Sequence, residues 1–120
     1  MKKESTIIKL LKEKSATKQL VYRNTKEVFD DLVKSLKLKE QSLAVLLSDE
    51  VDDVELGFTS NGEFDVQLKF AGDTLLFHMH SNIFDFPSNH EVIKSKYVKE
   101  DKLRSFCGVI NIYNFLSDSL

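Results

Sequence analysis

The sequence predicts an α+β fold, with N-terminal helices packed on an antiparallel meander of about five strands. Apolar residues recur at three- and four-residue steps through residues 5–37, as in amphipathic helices. From about residue 53, apolar and polar residues alternate, and turn residues such as Asn61 and Gly62 separate the alternating runs. With 120 residues, the chain suits a single domain spanning 1–120, helical over 1–40 and a sheet over 53–115.

The helical part is expected to form one or two helices. A short amphipathic helix over 5–13 begins near Ser5 or Thr6, and its apolar residues cluster on one side. A second helix of about 20 residues is expected to end near Lys37, because the segment contains neither Gly nor Pro. The next segment, 42–50, "SLAVLLSDE", fits either a helical turn or a buried strand.

The first hairpin turns at Asn61 and Gly62. A two-residue loop would place Phe58 opposite Asp65, an apolar core side chain opposite a charge. A three-residue loop over 60–62 is therefore expected, with Gly62 in a left-handed conformation. The strand pairs that this loop predicts are Phe58 with Phe64, Leu56 with Val66, Val54 with Leu68 and, on the other face, Asp53 with Lys69.

The second turn, in "FAGDTLLF", allows two registers. A Gly72-Asp73 loop places Asp65 opposite His80, whereas an Ala71-Gly72 loop places Asp65 opposite His78 and Glu63 opposite His80. The registers differ by two residues, so both keep the same faces. In either, the third strand turns its histidines to a second face and buries on the first face Leu75, Phe77 and Met79.

Two further strands are expected near 91–98 and 105–113. The last is apolar on both faces, with Phe106, Ile110 and Ile112 on one and Cys107, Val109 and Tyr113 on the other. An antiparallel strand that is apolar on both faces is covered on both. The helices can cover one face, and a partner subunit or the C-terminal segment is expected to cover part of the other. The expected interface or ligand residues are Ile83, Phe84, Phe86, Val109, Tyr113 and Phe115.

The predicted core joins one helix face to one sheet face. From the helix it takes Leu20, Val28, Phe29, Leu32 and Leu36. From the sheet it takes Val54, Leu56, Phe58, Phe64, Val66, Leu68, Phe77, Met79, Ile110 and Ile112.

A metal site is the alternative for the second face. His78 and His80 are two residues apart on one strand face and can bind one ion if a third ligand approaches. Asp65 and His90 are the candidates, with Asp85 as a further carboxylate, and two histidines with one carboxylate suit zinc or iron. The competing interpretation is an ion pair between a histidine and a carboxylate.

The connection 81–90, "SNIFDFPSNH", is long for a meander that otherwise has tight turns. Its residues Ile83, Phe84 and Phe86 are expected to cap the open end of the core, and the alternatives are that they line a ligand pocket or dock into a partner.

Composition excludes several classes of protein. No apolar run is long enough to span a membrane, and the lysine-broken N-terminus does not resemble a signal peptide. Residues 1–40 have a net charge of +5 and residues 41–120 of −7, but acidic residues interleave the lysines, so no nucleic acid is expected. Cys107 is the only cysteine, which suits the cytoplasm and a buried structural thiol. No nucleophile motif, glycine-rich phosphate loop or C-x-x-C pair is present, so enzymatic activity is not expected.

The segments "AGDTLLFHMHSNIFDF" and "CGVINIYNFLSDS" resemble a small family of uncharacterised bacterial proteins. The resemblance covers the C-terminal half of the chain. It implies a bacterial source, no particular activity, and a chain that is a shortened form if related proteins continue past this point.

The sequence therefore favours a cytoplasmic homodimeric or protein-interaction module without a cofactor. The alternatives are a metal-binding protein or metal-dependent enzyme that holds zinc or iron on the histidine strand, and a binder of apolar small ligands.

Overall fold

A computed structural model describes residues 2–47 and 56–116, and it confirms the α+β class. The chain folds as two compact units. Unit 1 comprises Met1–Thr25 and Ser81–Val109, and unit 2 comprises Lys26–His80 and Ile110–Leu120. The helices are α1 (Lys2–Leu47) and α2 (Lys96–Glu100), with 3₁₀ helices at Glu91–Lys94 and Lys102–Ser105. The strands are β1 (Leu56–Ser60), β2 (Asp65–Phe70), β3 (Asp73–Met79), β4 (Phe84–Asp85), β5 (Phe106–Cys107) and β6 (Ile110–Leu116).

Of the two alternatives for the helical part, one helix or two, the structure has one continuous helix, α1. The prediction of a break after residue 13 is wrong because nothing in "KSATK" stops a helix. Neither Gly nor Pro occurs in α1, and the Thr17 hydroxyl donates to the Glu13 carbonyl one turn earlier. The helix also includes 42–47, which settles that part of the ambiguous segment, whereas 48–50 lie outside the described residues.

Unit 2 contains a four-stranded antiparallel sheet with the order β1-β2-β3-β6, rather than five strands in one meander. The first hairpin has the predicted faces but not the predicted register, because Phe58 pairs with Leu68 and Leu56 pairs with Phe70. The loop spans 61–64, so Phe64 does not belong to a strand. The predicted partners Asp53 and Val54 lie outside the described residues.

Contacts with α1 explain the longer loop. Lys26 donates from Nζ to the Glu63 carbonyl oxygen at 3.3 Å, and Nζ lies 5.7 Å from the centre of the Phe64 ring. The Asn61 amide closes the loop by donating to the Asp65 carbonyl oxygen. Gly62 has a φ of +117°, which confirms the expected positive φ at this glycine.

The second hairpin adopts the Ala71-Gly72 alternative, in which Phe70 pairs with Asp73 and Asp65 pairs with His78. The positive φ of this turn falls on Ala71, at 52°, rather than on the glycine. A residue with a Cβ is strained in this conformation. The expected burial of Phe77 and Met79 is confirmed.

The prediction of a strand near 91–98 is wrong. This segment forms the first 3₁₀ helix and α2, because a polar side chain caps the start of each turn. His90 Nδ1 accepts from the Val92 amide, the Ser95 hydroxyl accepts from the Val98 amide, and the Asp101 carboxylate begins the second 3₁₀ helix by accepting from the Leu103 amide. These bonds satisfy amides that a strand would have paired across a ladder.

The strand expected over 105–113 is divided at Gly108 and Val109 into β5, which pairs with β4, and β6, which pairs with β3. Gly108 explains the interruption. A Cβ at this position would lie 2.6 Å from Thr25 Cγ2 and 2.7 Å from Thr25 Cβ. The backbone thus approaches α1 more closely than any other residue type would permit. Val109 lies in this break, so it does not share a strand face with Tyr113.

The core of unit 2 is narrower than predicted. Its fully buried apolar residues are Phe29, Val66, Leu68, Phe77 and Met79, all of them expected. Val28 and Ile112 are exposed, because Val28 lies about 100° around the helix from Phe29 and Ile112 lies on the last strand of the sheet. In unit 1, Leu20 is also exposed, and the buried apolar side chain is Val98, which was expected in a strand.

Candidate functional site

The observed register brings Asp65 and His78 together on the second face of the unit 2 sheet. The Asp65 carboxylate and His78 Nδ1 are 2.6 Å apart, and both side chains are partly exposed. The carboxylate accepts a hydrogen bond from this nitrogen, which leaves Nε2 directed elsewhere. In metal sites, a carboxylate on one ring nitrogen orients a histidine that binds metal through the other. The same geometry at a metal site would make Asp65 an orienting partner of His78.

The second histidine lies beside the first. The ring centres of His78 and His80 are 5.7 Å apart and the ring planes are inclined by 71°. Glu63, which the sequence placed opposite His80, lies in the loop between β1 and β2 and not in a strand. Within residues 2–47 and 56–116, no three side chains of His, Cys, Asp or Glu converge as a metal-binding group.

His90 has a local structural role in unit 1. Its Nδ1 accepts from the Val92 amide at 3.1 Å and its ring lies 4.7 Å from the centre of the Phe86 ring. The other proposed carboxylate, Asp85, accepts a hydrogen bond from the Ser105 hydroxyl. Both side chains thus hold the connection and the short helices in place.

Strand β6 displays apolar side chains on both of its faces. On the first face, Ile112 is 60% exposed and Leu116 is 66% exposed. On the second face, Tyr113 is 43% exposed, and its ring centre lies 6.0 Å from that of Phe115. Two of the predicted interface residues, Tyr113 and Phe115, are therefore adjacent on one sheet surface.

The aromatic connection contributes side chains to two cavities in unit 1. Ile83 and Phe84 border a cavity of about 750 Å³ together with Lys18, Tyr22 and Arg23 of α1. Most of its lining side chains are exposed, so this cavity is a shallow surface depression.

Phe86 borders a second cavity, of about 550 Å³, which also contains Phe106 and the buried Val98. Lysines from three elements surround it: Lys14, Lys99 and Lys102. The sequence did not identify these lysines, because the cavity is assembled from segments distant in the chain. Two lysines three residues apart, in "KEDK", would lie on one face of a helix, and this pattern could have identified them.

Cys107 is half-buried in β5 rather than in the middle of a long strand. Burial, and secondarily the negative charge of Asp85, raise the pKa of the Cys107 thiol. A raised pKa reduces the thiolate fraction at neutral pH and makes this cysteine a poor nucleophile.

Comparison of the chain with protein-family models, with curated proteins and with solved structures finds no match. In the part of the chain that the structure describes, no helix combines the length and the apolar character of a membrane span. The function is therefore argued from the geometry of this chain alone.

Proposed function

We propose that this bacterial protein is a cytoplasmic, non-enzymatic interaction module that forms a homodimer through the outer edge of β6. One observation carries the proposal: the last strand of the sheet has large exposed apolar side chains and no charge. The residues Ile110–Leu116, "INIYNFL", contain no Lys, Glu, Asp, Arg or Pro. Edge strands of monomeric proteins usually carry such residues, which prevent pairing with another chain.

The second copy of the chain is the occupant that fits this edge. Among the described residues, β6 pairs with β3 on one side and with no strand on the other. Two antiparallel β6 strands related by a twofold axis would continue the sheet across the interface, each satisfying the backbone groups of the other. The same arrangement brings together the exposed side chains of Ile112, Tyr113 and Leu116 from both copies.

The proposal is tested by the mass of the native protein. We expect light scattering and native mass spectrometry to give twice the chain mass of 13.8 kDa. Tyr113→Asp and Ile112→Lys place a charge on this edge and are expected to give monomers. The matched control is Thr59→Lys on β1, the strand at the opposite edge of the sheet, which is expected to remain dimeric.

His78→Ala is the control on the second face, because it removes a side chain of that face outside β6, and we expect it to remain dimeric. A monomeric wild-type protein at every concentration would contradict the proposal. So would dissociation by Thr59→Lys to the same extent as by Ile112→Lys, because the effect would then not belong to β6.

The bonded pair of Asp65 and His78 favours a zinc or iron protein as a second candidate, since it leaves His78 Nε2 available next to the His80 ring. This alternative predicts a mass excess of one metal ion per chain that a chelator removes. His78→Ala and His80→Ala would each abolish it while the oligomeric state stays unchanged. A native mass that matches the chain alone, with added zinc leaving it unchanged, would count against this alternative.

A further inference from the structure

The cavity of unit 1 that Lys14, Lys99 and Lys102 surround, called here the lysine-rimmed cavity, has no counterpart in the interaction role of β6. We propose that it binds a small amphipathic anion, with an apolar tail inside the cavity and a carboxylate or phosphate head at its mouth. The proposal depends on the volume and apolar walls of the cavity, on the lysines at its mouth, and on the single carboxylate among its described lining residues.

The walls of the cavity are suited to an apolar tail. Val98 is buried, and Ile93, Leu103 and Phe106 are half-buried around it. The volume of about 550 Å³ lies within the range of pockets that enclose small ligands. Four short elements supply these side chains: the two 3₁₀ helices, α2 and β5.

The lysines at the mouth have no ion-pair partner among the residues that the structure describes. Among the described residues, Lys14, Lys99 and Lys102 form no ion pair, and all three side chains belong to exposed residues. By contrast, Lys96 of α2 lies 4.0 Å from Glu100, and Arg104 also contacts Glu100. Unpaired ammonium groups next to an apolar cavity favour a ligand that carries a negative charge.

A carboxylate also lines the cavity, and it affects both the net charge of the lining and the orientation of a bound ligand. Among the described lining residues, Asp85 alone is acidic, and its Oδ1 accepts a hydrogen bond from the largely buried hydroxyl of Ser105. Three ammonium groups and one carboxylate leave a net charge of +2. The lysines are exposed and Val98 is buried, so we infer that an anionic head lies beside the lysines at the mouth while the tail contacts Val98 and Leu103.

The test uses ¹H–¹⁵N NMR titration of the full chain with four probes. Octanoate and octyl phosphate carry the tail with either head, 1-octanol carries the tail without charge, and acetate carries a head without the tail. We expect shifts at Ile93, Val98 and Leu103 with the two amphipathic anions, and binding of 1-octanol and of acetate that is at least about fivefold weaker. The stronger of the two anions identifies the head group.

Two variants localise the head, and a third is the control. Lys99→Gln and Lys102→Gln are each expected to weaken octanoate binding about fivefold, because each removes one ammonium group from the mouth. Lys96 lies on α2 with Lys99 but does not line the cavity. Lys96→Gln makes the same charge change and is expected to leave the affinity within about twofold. Unchanged spectra away from the substituted positions verify that each variant is folded.

Three results would overturn the proposal. Octanoate and octyl phosphate produce no saturable shifts in unit 1; Lys96→Gln weakens binding as much as Lys102→Gln; or 1-octanol binds as tightly as octanoate. The first removes the site, the second reduces it to general attraction by a basic surface, and the third removes the role of the lysines. None of these outcomes bears on the dimer, which is tested by mass.

Discussion

The two units differ in how the sequence maintains their structure. In its described residues, unit 2 has a four-stranded sheet and a core of five buried apolar side chains. The described part of unit 1 has short 3₁₀ helices, a five-residue helix and a pair of two-residue strands, and one side chain, Val98, is its fully buried hydrophobe. Polar caps at His90, Ser95 and Asp101 hold these turns. Alternation of apolar residues thus specifies unit 2, whereas individual side chains specify unit 1.

Charge separates the same two units. Unit 1 contains 12 basic and 6 acidic residues, a net of +6, and unit 2 contains 5 basic and 13 acidic residues, a net of −8, which together give −2. The lysine-rimmed cavity therefore belongs to the basic unit, and the uncharged strand β6 belongs to the acidic one. The net positive charge of unit 1 is consistent with the proposed anion site, whereas the proposed interface of unit 2 depends on the uncharged side chains of β6.

The dependence of unit 2 on its core gives the largest expected effect. Phe29→Ala removes a side chain that is 1% exposed and is expected to lower the free energy of unfolding by about 3–5 kcal/mol. Val28→Ala changes the neighbouring helical residue, which is 59% exposed, and is expected to change it by less than about 0.5 kcal/mol. Urea denaturation followed by circular dichroism measures both. Equal losses would mean that unit 2 does not depend on this helix face.

The close approach in unit 1 is tested at Gly108. Gly108→Ala is expected to cost about 1–3 kcal/mol, because the new methyl group overlaps the side chain of Thr25. In a Thr25→Ala background the cost is expected to fall, since two of the three overlapping atoms are gone. Gly72→Ala is the control, because its methyl group would meet nothing within 4 Å. A double-mutant cycle without coupling would disprove the contact.

The β2–β3 turn of unit 2 contains a strained residue that a single substitution relieves. Ala71→Gly is expected to stabilise the protein by about 0.5–1 kcal/mol, because glycine adopts a positive φ without a Cβ penalty. Ala16→Gly makes the same substitution inside α1, where glycine is expected to destabilise by a similar amount. Changes of opposite sign in the free energy of unfolding, measured by thermal or urea denaturation, would support the observed turn. A loss of stability at both positions would contradict the positive φ of Ala71.

The smallest expected effect is on the thiol of unit 1. Asp85→Asn removes the second cause of the raised pKa of Cys107, so the thiolate fraction at a fixed pH below that pKa rises. Alkylation by iodoacetamide at about pH 8 is expected to accelerate two- to threefold, with burial still limiting the rate. Glu91→Gln removes an exposed acidic residue of the same unit and should leave the rate unchanged. A slower reaction of Asp85→Asn would reverse the sign of this argument.

Much of the candidate site could be predicted from the sequence, but not which residues lie around the same cavity. The sequence placed Asp65 near a histidine and grouped Ile83, Phe84 and Phe86 as possible pocket residues, since period and segment length are local properties. It did not predict that Ile83 and Phe84 border one cavity and Phe86 another. Nor did it identify Lys14, Lys99 or Lys102, because the cavity that they surround is assembled from segments distant in the chain.

The sequence by itself determined the fold class and the face of each strand residue in β1–β3. A strand has a period of two, so the two-residue change at the second turn and the four-residue change at the first preserve every face. The tertiary structure decided the register, because Lys26 of α1 holds Glu63 and Phe64 in the loop. It also decided the break at Gly108, where Thr25 approaches the backbone, and the exposure of Ile112, which lies on an edge strand. These features depend on residues far apart in the chain, which no local pattern records.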